Sequence, residues 1–265
     1  MPHVFTNGIR LSYERSGRGE RVLMIMGSSA AGRVWTLHQT PALAAAGYQA
    51  ITFDNRGVPP SDVPPAPYSL ADMVADTRGL IEALDAAPCR IVGCSLGAMI
   101  AQELAIERPD LVRCAVLIAT KSRSDAVRKA QDRAERALLE SGIALPPDYE
   151  AVMSATQMLS PETLNDDDAV SLWLETFRAA GGEPARGQVY VDTGVDRREA
   201  LREVSAPCRV ISFADDVITP PHLAAEVAEA IPDCDLVEIP GCGHFGYLER
   251  PAEVNSAIIE FLDKH

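Results

Sequence analysis

The fold of this chain is constrained most strongly by residues 90–108, which read RIVGCSLGAMIAQELAIER. The stretch begins with apolar residues typical of a buried strand and continues with apolar residues at helical spacing until Pro109. A strand that becomes a helix within two residues leaves the corner residue in a cramped conformation, which only very small neighbours permit. The corner residue is Ser95, with Gly93 and Gly97 two positions to either side. We therefore expect Ser95 to project its hydroxyl at the positive end of a helix.

The pattern G-x-S-x-G at such a corner is the nucleophile elbow, which presents a reactive serine. Around it, strands alternate with helices, which is typical of a mostly parallel sheet covered on both faces. Eight strands are predicted, at residues 3–6, 9–15, 21–26, 48–53, 91–92, 114–119, 208–213 and 236–239. Besides the helix after the elbow, helices are predicted at residues 35–46, 70–84, 221–230 and 252–262, the second capped by Ser69 and Asp72.

Residues 121–204 depart from this alternation. They contain no convincing strand, and charged helical stretches are separated by breaks at Pro146-Pro147, Pro161 and Gly181-Gly182. We predict a core of residues 1–120 and 205–265 with a helical cap inserted between two strands. An insertion at the carboxyl ends of parallel strands lies over the ligand site of an α/β protein. Its large apolar side chains are predicted either to line a pocket or to form the core of the helical layer: Met153, Trp173 and Phe177, with Met158 and Tyr190.

Composition and cysteine spacing exclude several classes of function. The formal net charge of −14 disfavours nucleic acid and anionic membranes as partners. The start, MPHVFTNGIR, lacks the features of a signal peptide, and no apolar stretch is long enough to span a bilayer, so we expect a cytoplasmic protein. The six cysteines form no C-x-x-C pair and no zinc-like spacing, so we expect reduced thiols and no metal site. A small-molecule substrate is the expected partner, and a homo-oligomer is left open.

A serine hydroxyl becomes an effective nucleophile only when a base removes its proton during attack. Histidine suits this role because it alone titrates near neutrality without help. Of the five histidines, only His244 lies in a glycine-framed loop directly after a late predicted strand. We therefore predict that His244 is the base that activates Ser95.

The base in turn needs a carboxylate that holds its tautomer and stabilises the imidazolium. Asp216 follows a predicted strand and precedes His244, which gives the chain order serine, acid, histidine. Asp215 is its rival, and Asp125, after the preceding strand, is a third candidate.

Attack on a carbonyl creates an oxyanion, which backbone N–H groups placed in advance can stabilise. Leu96, the first residue after the corner, is predicted to supply one of these groups. The loop after the strand at 21–26 should supply the second, which we assign to the amide of Ser28. This assignment rests on the position of the loop, because its small residues also suit a plain tight turn.

Taken together, these motifs resemble the α/β-hydrolase superfamily over nearly the whole chain. The matching segments are FDNRG at 53–57, GCSLG at 93–97, DDVITPP at 215–221, GCGHF at 241–245 and LERP at 248–251. The resemblance implies an α/β-hydrolase fold, triad roles for Ser95, Asp216 and His244, a cap at 121–204 and no cofactor. The spacing from Asp216 to Pro220 matches the family and favours this aspartate over Asp215.

Within the superfamily the chain is similar to a cofactor-free branch of esterases, carbon–carbon bond hydrolases and non-haem haloperoxidase-like perhydrolases. Two departures stand out. Met26-Gly27 replaces the usual His-Gly, as in aclacinomycin methylesterase-like hydrolases, which implies a natural-product or polyketide ester. Pro59 and Pro60 stand where a second glycine is common, so contacts in that loop are expected to differ. A serine at position 95 excludes haloalkane dehalogenases and epoxide hydrolases, which need a carboxylate there.

These observations predict a serine hydrolase without metal or cofactor that acts on an ester, thioester or activated carbonyl of modest size and largely apolar character. The alternative is the same triad in perhydrolysis, carbon–carbon bond cleavage or polyketide cyclisation. A third hypothesis is a ligand-binding receptor built on a hydrolase fold, because a fold does not settle a function.

Overall fold

Apolar strand patterns form one eight-stranded sheet in a computed structural model that describes residues 1–180 and 185–265. The strands are β1 (His3–Thr6), β2 (Ile9–Gly17), β3 (Glu20–Ile25), β4 (Tyr48–Phe53), β5 (Cys89–Cys94), β6 (Val112–Ile118), β7 (Cys208–Phe213) and β8 (Cys234–Ile239). Their order in the sheet is β1-β2-β4-β3-β5-β6-β7-β8. Strands β3 to β8 are parallel, whereas β2 is antiparallel to both β1 and β4. This arrangement confirms the predicted mostly parallel sheet.

Helices follow the strands through the rest of the described chain. They are α1 (Gln39–Ala45), α2 (Leu70–Ala83), α3 (Leu96–Glu107), α4 (Ala126–Ser141), α5 (Pro147–Met158), α6 (Pro161–Leu164), α7 (Asp167–Ala180), α8 (Pro221–Ala230), α9 (Gly246–Glu249) and α10 (Pro251–Leu262). No helix among the described residues has both the length and the apolar character that crossing a membrane requires.

Side chains of the central strands alternate between two apolar clusters, one on each face of the sheet. In β3, Leu23 and Ile25 belong to one cluster, while Val22 and Met24 belong to the other. The first cluster includes residues of α2, α3 and α8, and the second includes residues of α1 and α10. Helices therefore cover both faces of the sheet, and the carboxyl edge of the strands remains for a site.

Of two predictions about helix starts, the structure confirms one and corrects the other. The capping box of α2 is confirmed, because the Ser69 hydroxyl accepts from the Asp72 amide and the Asp72 carboxylate accepts from the Ser69 amide. The single helix predicted at 35–46 is wrong: a 3₁₀ segment at Gly32–Leu37 is followed by α1. Pro41 in the first turn of α1 lacks an N–H group and disfavours an unbroken helix through this position.

Between β6 and β7 the described residues form helices α4 to α7 and no strand. Pro147 and Pro161 are the first residues of α5 and α6, where the missing N–H group of proline costs nothing. The breaks predicted at these prolines are therefore helix starts. The break predicted at Gly181-Gly182 lies outside the described residues.

Candidate active site

Ser95 occupies the turn between β5 and α3 in a conformation that L residues rarely adopt, with φ of 52° and ψ of −118°. Its amide donates to the carbonyl oxygen of Ile118 at 2.9 Å. The flanking glycines have no room for a side chain. A Cβ on Gly93 would lie 2.4 Å from the Gly97 carbonyl oxygen, and one on Gly97 would lie 2.1 Å from the Ile25 carbonyl oxygen. The glycine spacing is therefore a steric requirement of this corner.

Substitution Gly97→Ala is expected to lower the free energy of unfolding by about 2–3 kcal/mol, because the added methyl group meets backbone atoms that cannot turn away. Urea denaturation of the variant and the parent protein measures this difference. A matched control is Gly194→Ala, whose Cβ would lie 3.3 Å from a side-chain oxygen of Asp192. The control should change stability by no more than about 0.5 kcal/mol. Equal denaturation midpoints for the two variants would contradict the steric argument.

Three side chains from distant parts of the chain form one hydrogen-bonded line. Ser95 Oγ lies 3.1 Å from His244 Nε2, and His244 Nδ1 lies 2.8 Å from Asp216 Oδ2. The imidazole is 7% exposed and the carboxylate is fully buried. An ionised carboxylate only accepts hydrogen bonds, so Nδ1 carries the proton and Nε2 is left to accept from the serine hydroxyl. The structure thus brings together the serine, histidine and aspartate that the sequence singled out.

Asp216 is held in place by its own loop and is kept ionised by His244 together with that loop. Oδ1 accepts from the amides of Ile218 at 2.7 Å and Thr219 at 2.8 Å, and Oδ2 accepts from the Thr219 hydroxyl at 2.7 Å. Burial alone would raise the pKa of Asp216, but His244 and the Thr219 donors lower it below its usual range. Thr219 was not predicted, although a threonine three residues after an aspartate is a local turn signal.

The two other candidates for the acid, Asp215 and Asp125, do not form the hydrogen bond to His244. Asp215 is half-buried beside Asp216, and its amide donates to the Cys242 carbonyl oxygen at 3.1 Å. Asp125 caps α4 by accepting from the Arg128 amide at 2.9 Å. The structure therefore brings Asp216, rather than Asp215 or Asp125, to the imidazole.

The loop that carries His244 is tied to the inserted helices by Glu249. One carboxylate oxygen of Glu249 accepts from the Gly243 amide at 2.7 Å. The other accepts from the Ser160 hydroxyl at 2.9 Å and from the Thr163 hydroxyl at 2.6 Å. Ser160 is the N-cap of α6 and Thr163 lies in its first turn. The start of this helix and the loop of the imidazole are therefore held by a single side chain.

The two amides predicted to stabilise an oxyanion, those of Leu96 and Ser28, belong to residues that border the same cavity as Ser95. Within residues 1–180 and 185–265 neither amide donates a hydrogen bond. A Cβ on Gly27 would lie 3.2 Å from the Ser95 Cβ, so this loop passes beside the serine. Two free N–H donors next to the hydroxyl suit the binding of a negatively charged oxygen.

The loop at Ser28 is fixed by Gln188, a residue of the insertion that sequence reasoning missed. The buried Gln188 side chain accepts from the Ser29 amide at 2.7 Å and from the Ser28 hydroxyl at 3.3 Å. Its amide nitrogen donates to the Arg56 carbonyl oxygen at 2.7 Å. No local pattern marks Gln188, because its partners lie more than a hundred residues away in the chain.

Substitution Gln188→Leu is expected to lower kcat on a simple ester by about 10- to 100-fold, because the loop that carries the Ser28 amide would lose its anchor. KM should change little, since an oxyanion forms only after attack. Steady-state kinetics measures both parameters. An unchanged kcat in Gln188→Leu would contradict this role for the side chain.

Two adjoining cavities lie at the candidate site, and of these two the smaller one reaches Ser95. The smaller, of about 290 Å³, is bordered by Ser95, Leu96 and His244. The larger, of about 960 Å³, borders neither Ser95 nor His244. Both are lined by Ser28, Ala30, Phe245 and Tyr247. A carbonyl placed at Ser95 therefore lies in the smaller cavity, and the larger cavity adjoins it at these four shared residues.

Two of the predicted pocket walls line the larger cavity. Trp173 and Phe177 of α7 border it and stack with ring centroids 5.7 Å apart. Both also contact Phe245, with centroid distances of 6.0 and 5.9 Å. Phe245 directly follows His244 in the chain, so this aromatic cluster places apolar surface next to the candidate site.

Met153 was expected to line the pocket, but it borders neither of these cavities. Helix α5 buries Ala151 and Ala155, which share one face, and Met153 on another face is 39% exposed. The expectation is corrected for this residue. Met158, at the end of the same helix, does border the smaller cavity.

All six cysteines are free thiols in the structure. Burial raises the pKa of Cys89 and of Cys242 to about 12, and it also raises the pKa of Cys94 beside Ser95. These thiols therefore stay protonated near neutral pH and do not compete with the serine as nucleophiles. Across the described chain, no group of three or more histidine, cysteine or acidic side chains could hold a metal ion.

Comparison with known proteins agrees with this architecture. The model of the Alpha/beta hydrolase family matches residues 22–257. The "Putative non-heme bromoperoxidase BpoC" of Mycobacterium tuberculosis H37Rv is 45% identical over 257 residues, which cover 96% of this chain and 98% of that protein. Its crystal structure superposes with a TM-score of 0.93 over 96% of each chain.

More distant relatives carry other names. The "Putative carbamate hydrolase RutD" of Azorhizobium caulinodans is 26% identical over 265 residues and 98% of both chains. The structure of a thermophilic esterase from Thermogutta terrifontis is 25% identical, with a TM-score of 0.83 over 100% of this chain and 99% of that one. Proteins with this architecture therefore bear the names of different activities.

Proposed function

Because the chain belongs to the alpha/beta hydrolase family, we propose that it is a serine hydrolase that cleaves carboxylic esters through an acyl-enzyme on Ser95. One observation carries the proposal: Ser95 Oγ, His244 and Asp216 form a continuous line with contacts of 3.1 and 2.8 Å. This is the geometry that proton removal from a serine hydroxyl requires.

In the first half of the proposed reaction, Ser95 Oγ attacks the ester carbonyl while His244 Nε2 takes its proton. The oxyanion that forms is stabilised by the free amides of Leu96 and Ser28. His244 then gives the proton to the alcohol as the bond between carbonyl carbon and alcohol oxygen breaks. Asp216 stabilises the imidazolium throughout and remains ionised.

In the second half, water attacks the acyl carbon and gives a proton to His244 Nε2. The bond between the acyl carbon and Ser95 Oγ breaks, the serine recovers its proton and the acid leaves. Thioesters and activated carbonyl compounds are open to the same steps, because each has a leaving group that the imidazolium can protonate.

A second candidate reaction differs only in what attacks the acyl-enzyme. A relative that is 45% identical bears the name "Putative non-heme bromoperoxidase BpoC", which favours hydrogen peroxide as the attacking group. Peroxide attack on the acyl carbon would release a peracid and regenerate Ser95. The triad and the amides have the same roles in both reactions.

Hydrolysis of p-nitrophenyl esters of increasing chain length in ¹⁸O-labelled water separates these candidates. For hydrolysis we expect one solvent oxygen in each molecule of released acid, measured by mass spectrometry. With hydrogen peroxide present, a peracid product would favour the second candidate. Absence of turnover with every ester would contradict both.

A further inference from the structure

The two adjoining cavities differ in the helix that borders each of them, α4 for the smaller cavity and α7 for the larger one. Helix α4 borders the smaller cavity through polar residues at helical spacing, namely Arg128, Gln131, Asp132 and Glu135. Helix α7 borders the larger cavity through a mainly apolar face, namely Ala169, Leu172, Trp173, Thr176 and Phe177. The α4 wall of the smaller cavity therefore offers charged and polar groups, whereas the α7 wall of the larger cavity offers mainly apolar surface.

Lys121, which precedes α4 in the chain, is more deeply buried than the charged residues of that helix. It is 7% exposed and borders the smaller cavity together with Ser95. Its ammonium group donates to the Ser124 hydroxyl at 2.8 Å and forms no salt bridge with a carboxylate of the described residues. An ammonium group has three donors, and a buried charge without a partner is costly. Two donors of Lys121 are thus left for a group that enters the cavity.

Arg128 provides a second cation whose hydrogen-bonding capacity is unfilled. Its side chain is 14% exposed, and its nearest carboxylate, that of Asp125, is 3.6 Å away, too far for a good hydrogen bond. Its Nε–H group is buried without a hydrogen-bond partner in the described part of the chain. Planar guanidinium groups bind carboxylates strongly through paired donors.

Two carboxylates, Asp132 and Glu135, face the same cavity and bear on what it binds. Asp132 is half-buried and Glu135 is exposed, so both lie nearer to water than Lys121. Water screens the charge of exposed groups more than that of buried ones. Any ligand that enters from solvent passes these carboxylates, and a carboxylate that reaches Lys121 and Arg128 meets the free ammonium donors of Lys121 and the unpartnered Nε–H group of Arg128.

We propose that the smaller cavity binds an acyl group that ends in a carboxylate, with Lys121 and Arg128 holding that carboxylate. The substrate class is then the half-ester of a short dicarboxylic acid, because a cavity of about 290 Å³ has room for a short acyl chain. This proposal rests on the proposed ester hydrolysis at Ser95. It modifies the expectation of a largely apolar substrate, which then applies only to the alcohol part.

The larger cavity suits the alcohol part of such a half-ester. It is lined by the aromatic rings of Trp173, Phe177 and Phe245, and its lining residue Leu172 is 67% exposed, so it opens to solvent. The alcohol leaves before the acyl-enzyme is hydrolysed and needs a path to solvent. The acyl part stays bonded to Ser95, inside the cavity that contains this residue.

The test compares benzyl hydrogen succinate with benzyl 4-methylpentanoate, a neutral ester of the same shape. For the parent protein we expect kcat/KM to be about 10- to 100-fold higher for the succinate ester. In Lys121→Met the ratio of the two values should fall toward one, and Arg128→Met, on the half-exposed face of α4, should also reduce it. The control Lys129→Met, an exposed lysine on the same helix, should keep the parent ratio.

A binding measurement with Ser95→Ala separates failure of this proposal from failure of the proposed function. Calorimetric titration should show benzyl hydrogen succinate binding about tenfold or more tightly than the neutral ester, whether or not the parent protein turns either over. Turnover of both esters at equal kcat/KM, with equal binding to Ser95→Ala, would overturn the carboxylate site and leave the hydrolase. Tight binding without turnover would support the site and overturn the hydrolase. A ratio that Lys121→Met leaves unchanged would overturn the role of Lys121.

Discussion

Substitution Ser95→Ala is expected to lower kcat on a good ester substrate by about 10⁴-fold or more, because no other group can form the acyl-enzyme. The thiols nearest the site, those of Cys94 and Cys242, are buried and protonated, so they do not replace the serine. KM should change much less than kcat, since the cavities and the two free amides stay in place. Initial rates at several ester concentrations, with active enzyme carefully excluded from the preparation, measure this loss.

The matched control for this variant is Ser141→Ala, at the exposed end of α4 and outside both cavities. Its kcat and KM should equal those of the parent protein. A Ser95→Ala variant that retains more than about a tenth of the parent activity would contradict the acyl-enzyme. Another route, such as direct attack by a water molecule activated by His244, would then have to carry the reaction.

Substitution Asp216→Asn should lower kcat by about 10⁴-fold through the tautomer of His244. The amides of Ile218 and Thr219 would still donate to the side-chain oxygen of the new asparagine, so its NH₂ group would face His244 Nδ1. Nδ1 would then accept a hydrogen bond, the ring proton would move to Nε2, and Nε2 could no longer take the proton of Ser95. Single-turnover kinetics at neutral pH measures the effect on acylation directly.

The neighbouring carboxylate offers a control of the same chemistry. Asp215→Asn changes an adjacent residue that does not contact the imidazole, so we expect kcat within about twofold of the parent protein. Because the two variants have the same charge, a difference between them cannot come from the net charge of the protein. Equal losses in Asp216→Asn and Asp215→Asn would contradict the assignment of the acid.

The sequence predicted those parts of the site that short-range geometry determines. The turn at Ser95 requires small residues at positions 93 and 97, and this steric requirement is visible within five residues of sequence. His244 could be chosen because its loop follows a strand that ends at the same edge of the sheet. The residues alone did not decide whether Asp216 or Asp215 is the acid. In the structure the contacts of Asp216 with Thr219 and His244 distinguish it from Asp215.

What the sequence did not reveal depends on contacts between distant segments. Gln188 lies in the insertion, and its hydrogen-bond partners Ser29 and Arg56 come from loops far along the chain. Lys121 borders the same cavity as Ser95 and His244, which the sequence places far from it. Met153 failed as a pocket residue because an apolar side chain on a helix has several faces available, and the buried alanines Ala151 and Ala155 decide which face packs. Periodicity predicts that a helix has a buried face, but packing determines what that face contacts.

The central claim is that the Ser95 hydroxyl is the one nucleophile that the imidazole of His244 activates. Its most direct test is labelling with a fluorophosphonate, followed by intact mass measurement and peptide mapping. We predict a single adduct per chain, located on Ser95 in the peptide that contains residues 90–108, and its absence in Ser95→Ala. An adduct on another residue, or full ester turnover by a protein that the reagent does not label, would contradict the account.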